Sequence, residues 1–140
     1  MSLTTRSNEL PGGAVTFSSE RTFRVWRYGI GHSQLLLRAV PDKVNSACLD
    51  LLFEGVSAMK LATRHESVEI AIASVNETRE LLEISGLPDI WAERSLALAL
   101  RSKKGTGLVL CRRASALFGG ADPVEDPGLS AEQSTVWSIE

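Results

Sequence analysis

The stretch that decides the fold reads TFRVWRYGI (22–30), GHS (31–33), QLLLRAV (34–40), CLDLLFEGV (48–56), SAMKLA (57–62) and VEIAIASV (68–75). Each apolar run is short and is closed by Gly, Pro, Asp or a charged residue, the pattern of strands that bury one face or both. In the first run Phe23 and Val25 share one face, whereas Trp26, Tyr28 and Ile30 share the other. An apolar face that changes side midway requires burial on both faces or a bulge, and Gly29 and Gly31 offer the place for one. Leu35-Leu36-Leu37 starts the next strand, and Pro41-Asp42 closes it because proline cannot donate to a ladder. A hairpin turning near Gly31 is therefore expected.

Residues 43–61 admit two readings. Val44, Cys48, Leu51, Leu52, Val56 and Met59 fall at helical spacing, with Lys43, Asp50, Glu54, Ser57 and Lys60 filling much of the remaining surface. Against a helix, Leu49 and Phe53 lie outside that stripe, and Gly55 in a helix interior costs roughly 1 kcal/mol. Leu49, Leu51 and Phe53 also alternate with Asp50 and Glu54. The strand reading is preferred, with a bulge or turn at Glu54-Gly55 and a further strand from Val56 to Leu61.

Outward from this centre, residues 1–20 are rich in Ser, Thr, Gly and Asn and read as a flexible N-terminal arm, with a turn or joint at Pro11-Gly12-Gly13. Within it, Ala14, Val15 and Phe17 offer a short edge strand. Toward the C-terminus, Val68–Ile72 alternates as a strand, and Ser74 and Glu77 have capping-box spacing before Leu81, Leu82 and Ile84, with Gly86 as the stop. One short helix over residues 77–85 follows. LALALR, the turn Ser102-Lys103-Lys104-Gly105-Thr106-Gly107 and LVLCRR form the clearest hairpin, with Leu96, Leu98 and Leu100 toward the core, Ala97 and Ala99 opposite, and Leu108, Leu110 and Arg112 repeating the alternation on the partner. Residues 121–134 are acidic and turn-rich and read as a loop, and Thr135–Ile139 has strand composition. The expected class is α+β, mainly antiparallel β as a sandwich or partly open barrel, with a single β-rich domain over residues 21–140.

A chain of 140 residues with 44% hydrophobic content can bury a sizeable core without a disulfide or metal staple. The formal charge of −2 gives no overall field toward nucleic acid or an anionic membrane, so binding of that kind needs a local patch. Cys48 and Cys111 sit inside apolar runs and read as small buried hydrophobes, while a bridge between them requires neighbouring strands. The N-terminus lacks the apolar segment of a signal peptide and no run reaches membrane-spanning length, so the cytoplasm is the expected location and no membrane is involved. The sequon at Asn76-Glu77-Thr78 carries little weight without an export signal.

No catalytic or cofactor motif stands out. Gly31-His32-Ser33-Gln34 starts like a nucleophile elbow, but Leu35 replaces the required glycine and a strand is expected to follow. Gly29-x-Gly31 lacks the third glycine of a dinucleotide fingerprint, and the 102–107 turn lacks the spacing of a phosphate-binding P-loop. With His32 and His65 as the only histidines, a site of several histidines is impossible, and no metal or cofactor is expected. The pattern that remains interleaves Arg21, Arg24 and Arg27 with Phe23, Trp26 and Tyr28, and adds Arg38, Arg101, Lys103, Lys104, Arg112 and Arg113 on other proposed strands. If those strands are neighbours, the face suits an acidic protein, a phosphate-bearing ligand or single-stranded nucleic acid; otherwise the arginines serve solubility and edge protection, with the carboxylates of the 122–126 segment neutralising the rest.

FRVWRYGIGHSQLLLR followed by LDLLFEGVSAMKLAT resembles a family of uncharacterised bacterial proteins with a Trp-x-Tyr, a His-Ser-x-Leu-Leu-Leu-Arg and an apolar-Asp-apolar-Leu-Phe-x-x-Val run. The resemblance implies a β-rich domain and no activity. Three functions follow as expectations. The first is a non-catalytic module that binds a protein partner, as the immunity proteins of bacterial toxin systems do, with Trp26, Arg27, Tyr28, His32 and Arg38 as candidate contacts. The second is a small-molecule binder or enzyme in which Trp26, Tyr28, His32 and Arg38 converge on a cleft. The third, placed last by the near-neutral charge, is nucleic-acid binding through basic hairpins. Exposed sheet edges and three tryptophans also suggest a homodimer.

Overall fold

The computed structural model describes Thr5, residues 13–119 and residues 133–140. In chain order these hold β1 (Val15–Gly29), β2 (Gln34–Ala39), β3 (Leu49–Glu54), β4 (Ala58–Lys60), β5 (Arg64–Ile72), α1 (Val75–Ser85), α2 (Asp89–Ala92), β6 (Leu96–Ser102), β7 (Gly105–Cys111), β8 (Arg113–Phe118) and β9 (Ser134–Ile139). Every pairing is antiparallel, in one sheet of order β4-β7-β6-β5-β1-β2-β3-β8-β9. The α+β class, mainly antiparallel, is as expected, and the strands form one open sheet.

The sheet rolls up because two segments bend. β3 runs into β4 through Gly55–Ser57, and β7 runs into β8 through Arg112 alone. Each segment thus contributes to both ends of the strand order: β7 lies between β4 and β6, and β8 lies between β3 and β9. At the bend Arg112 N–H donates to Glu54 O (2.9 Å) and Ser57 N–H to Leu110 O (2.9 Å). Gly55 turns the chain with φ +66°, a conformation that L side chains rarely adopt, and a Cβ there would lie 2.8 Å from Arg112 Cγ. The strand reading of residues 43–61 therefore holds for Leu49–Glu54 and Ala58–Lys60, with the break at Glu54-Gly55, whereas residues 43–48 form neither strand nor helix.

Alternation fills the interior. Leu35 and Leu37, Leu51 and Phe53, Val68 and Ile70, Leu98 and Leu100, Val109 and Cys111, and Ala114 and Ala116 all join one buried cluster. Each fully buried Leu or Ile side chain contributes roughly 1.5–3 kcal/mol. Ala97 and Ala99 face the other side, where they pack with Leu81, Leu82, Ala92, Leu108 and Leu110. The Leu-Ala alternation of β6 thus serves two layers, large residues for the interior and small ones where helix α1 lies against the sheet. The capping box closes α1 at its start: Ser74 Oγ accepts from Glu77 N–H (3.2 Å), and Glu77 Oε1 accepts from Ser74 N–H (2.9 Å). Gly86, left-handed at φ +66°, ends it.

Two sequence expectations change. The loose arm reaches into β1: from Val15 the chain is a strand, paired with β5 from Val15 to Arg24 and with β2 from Arg24 to Gly29. Ala14 is already tied in, its carbonyl accepting from Ile72 N–H (2.8 Å). The break in β1 that faces β2 falls between Val25 and Arg27, at Trp26, and not at Gly29 or Gly31. The extra residue there switches the apolar face without needing a glycine. The hairpin does turn at Ile30–His32, and Ser33 closes it, with its N–H on Ile30 O (3.3 Å) and its carbonyl accepting from Val56 N–H (2.9 Å). Cys48 and Cys111 are both buried and unbridged, and β9 forms as expected. The Pro11-Gly12 turn and most of the 121–134 loop lie outside the described residues.

Candidate functional site

Register places three arginines side by side. Arg24 of β1 pairs with Arg38 of β2 on one side and with Arg64 of β5 on the other. Like charges directly opposite on neighbouring strands are destabilising unless each finds a partner. Arg38 finds Asp50, its cross-strand partner on β3, through Nε to Oδ1 (2.7 Å) and Nη2 to Oδ2 (3.0 Å). Both residues are buried, and Gln133 Nε2 donates to Asp50 Oδ2 at 2.9 Å. Arg64 pairs with Glu66 (2.8 Å) at the surface. For Arg24, which is exposed, no carboxylate among the described residues lies within ion-pair distance.

These arginines line a cleft of about 510 Å³, shared with Arg21, Glu20 and Asp42. Arg21 anchors the chain leaving β2, its Nη2 donating to the carbonyls of Ala39 (3.3 Å), Val40 (3.0 Å) and Ala47 (2.8 Å). Its Nε and Nη1 are buried without a hydrogen-bond partner. Asp42 is turned into its own loop, where the N–H groups of Asn45 (2.6 Å) and Val44 (2.8 Å) bond one oxygen and hold its carboxyl below the usual range. Beyond Arg64 a second cleft, of about 220 Å³, adds Ser102, Lys104 and Thr106 from the β6–β7 turn. Lys103 N–H ties that turn to Glu66 O at 3.1 Å.

The residues singled out from sequence divide. Trp26 and Arg38 meet, with the guanidinium carbon 5.4 Å from the ring centroid. Arg38 is not an open anchor for an anion, because Asp50 already satisfies it in a buried fork. Arg27 and Tyr28 are exposed on the last part of β1. His32 is exposed in the 3₁₀ turn, and neither it, Trp26 nor Tyr28 lines the arginine cleft. The other histidine, His65, is buried with Nε2 2.8 Å from Ala62 O, a bond that places the proton on Nε2.

Sequence reasoning missed the role of Asp50 and the place of Arg64. The signal for Asp50 was present: LLLRA and LDLLF each carry one charge inside a run apolar on both faces, and such a charge needs a buried partner. The row of arginines required register, which no single strand contains. Among the described residues no group of three His, Cys, Asp or Glu side chains could hold a metal ion, and no helix is long and apolar enough to cross a membrane. Comparison with protein-family models, with curated proteins and with solved structures returns no match.

Proposed function

We propose that the protein is a non-catalytic module that binds a protein partner, and that the partner docks along the second half of β1. One observation carries this reading. The β1–β5 ladder ends at Arg24↔Arg64, with Val25 N–H reaching Thr63 O (2.9 Å), while β1 runs on to Gly29 with β2 as its strand partner among the described residues. That end of the strand presents Trp26 at 38%, Tyr28 at 39% and, in the turn beyond, Ile30 at 85% exposure. A strand paired on one side is a template for addition of an extended segment, and aromatic side chains are what interfaces concentrate.

The test is a tagged pull-down from the native host's lysate at low and moderate salt with nuclease present, comparing wild type with a Tyr28→Ser/Ile30→Asp variant. Both changes lie at exposed positions, so the fold is expected to survive. A stoichiometric protein that survives moderate salt and is lost with the variant is the expected result. A partner held equally by both proteins would remove β1 as the docking strand, and an empty pull-down would overturn the interaction reading.

A further inference from the structure

The second half of β1 begins at the arginine row, and one charge of that row has no ion pair among the described residues. Of the three aligned guanidinium groups, the outer two have their own carboxylates, Asp50 and Glu66, whereas the middle one, Arg24, has none among the described residues. Arg21, in the same cleft wall, is also without an ion pair there, and two of its three nitrogens lack a hydrogen bond. Asp42 is committed to backbone N–H groups, which leaves Glu20 as the other lining carboxylate among the described residues. Past Arg64 the second cleft continues the basic line to Lys104, with the hydroxyl-bearing Ser102 and Thr106 beside it. Arg64 belongs to both clefts, so the surface is a track and not a point.

We infer that this track, from Arg24 across Arg64 to Lys104, receives an acidic peptide segment, its carboxylates meeting Arg24 first. This rests on the protein-partner reading and supplies the partner's chemistry. Single carboxylates spaced along a chain match cations that stand on successive strands, β1, β5 and the β6–β7 turn. A phosphodiester backbone is the poorer fit. Glu20, Asp42 and Glu66 interrupt the basic surface, and the aromatic residues on which bases would stack, Trp26 and Tyr28, do not line either cleft. Arg24 stands between two guanidinium groups already balanced by their own carboxylates, so an anion entering the cleft meets Arg24 as the one without a carboxylate among the described residues.

The probe is a fluorescein-labelled Glu-rich peptide titrated into the full chain by anisotropy, with a Lys-rich peptide and oligo-dT of equal length as comparisons. The Glu-rich peptide is expected to bind alone of the three, to weaken on the order of tenfold with Arg24→Glu, and to weaken as salt rises. Thermal melts of Arg24→Gln add an independent sign. Without peptide the variant melts with wild type, because the flanking guanidinium groups already have their carboxylates, and with saturating peptide it melts below. No binding of the Glu-rich peptide, binding unchanged by Arg24→Glu, or tighter binding of oligo-dT would each overturn the inference. The Tyr28→Ser/Ile30→Asp protein keeps the two readings apart: it loses the captured partner if β1 is the docking strand, yet retains the Glu-rich peptide if the arginine track is correct.

Discussion

Two Arg–carboxylate forks in this molecule have nearly the same geometry and opposite surroundings. Arg38 holds Asp50 through bonds of 2.7 and 3.0 Å, and Arg101 holds Glu77 through bonds of 2.6 and 2.9 Å. The first pair is 1% and 0% exposed at the side chains, the second 35% and 22%. The difference teaches where charge stabilises and where it only specifies. Inside the sheet, desolvation offsets most of the attraction, so Arg38–Asp50 mainly forbids any β2–β3 register in which either charge is unmatched. At the rim, Glu77 serves at once as capping-box acceptor and as the acid that fastens α1 to β6, with little desolvation to repay.

The largest expected effect breaks the buried fork on one side. Asp50→Ala leaves a buried guanidinium unmatched and should cost about 3–5 kcal/mol in chemical denaturation. Replacing both partners, as Arg38→Met with Asp50→Leu, should recover most of that loss, because the penalty lies in the orphaned charge and not in the missing pair. A double variant as unstable as Asp50→Ala would show instead that the fork is a net source of stability.

Next in size is the packing that lets α1 approach the sheet. Ala97 is fully buried between strand and helix, and Ala97→Leu adds three carbons where the facing Leu81 and Leu110 leave no room. Overpacking of this kind should cost about 1–3 kcal/mol. At the corresponding interior position, Leu98→Ala should instead leave a cavity and cost about 2–5 kcal/mol, so the two substitutions on adjacent residues separate the two faces of β6.

The exposed fork predicts a pH signature. Hydrogen bonds from Arg101, ahead of those from Ser74, push the Glu77 carboxyl down from its ordinary 4.5 to about 2. A depressed folded-state value means stabilisation that is complete above the unfolded pKa and is lost as pH falls through the folded one. Wild type should therefore exceed Glu77→Gln at neutral pH by no more than the about 1 kcal/mol of a partly exposed pair, and the gap should close between pH 4.5 and about 2. Melting curves of both proteins across that range decide it; a gap independent of pH would assign the effect to the cap alone.

How far these regions could be read from sequence follows the same division. The α1–β6–β7 side was legible in its elements, since their determinants are local: the Ser74–Glu77 spacing, the Gly86 stop and the Leu-Ala alternation of β6. The partner strand was misread by one residue, because the 102–107 turn narrows to Lys103-Lys104 and it is Val109 and Cys111, not Leu108 and Leu110, that fill the interior. The β1–β2–β3 side was legible only as strands. Its chemistry depends on which residues stand opposite across the 40–48 connection and across β5, and neither register is written in a local pattern. That is why Arg38 read as an available anchor, and why the aromatic residues of β1 could be placed on a strand but not relative to the cleft.

The smallest effect sharpens the comparison most. Trp26 lies over Arg38, and Trp26→Leu removes the ring's attraction for the cation while keeping apolar cover, so about 0.5–1 kcal/mol is expected. The value should be small because Asp50 already balances the guanidinium. In an Asp50→Asn background that balance is gone, and the ring faces a cation that also stands beside Arg24. The same Trp26→Leu change should then cost more, a positive coupling of the kind a double-mutant cycle resolves for residues sharing one partner. Strict additivity would mean that ring and carboxylate act on Arg38 independently, and the buried fork would then be a pair flanked by packing rather than a three-member unit.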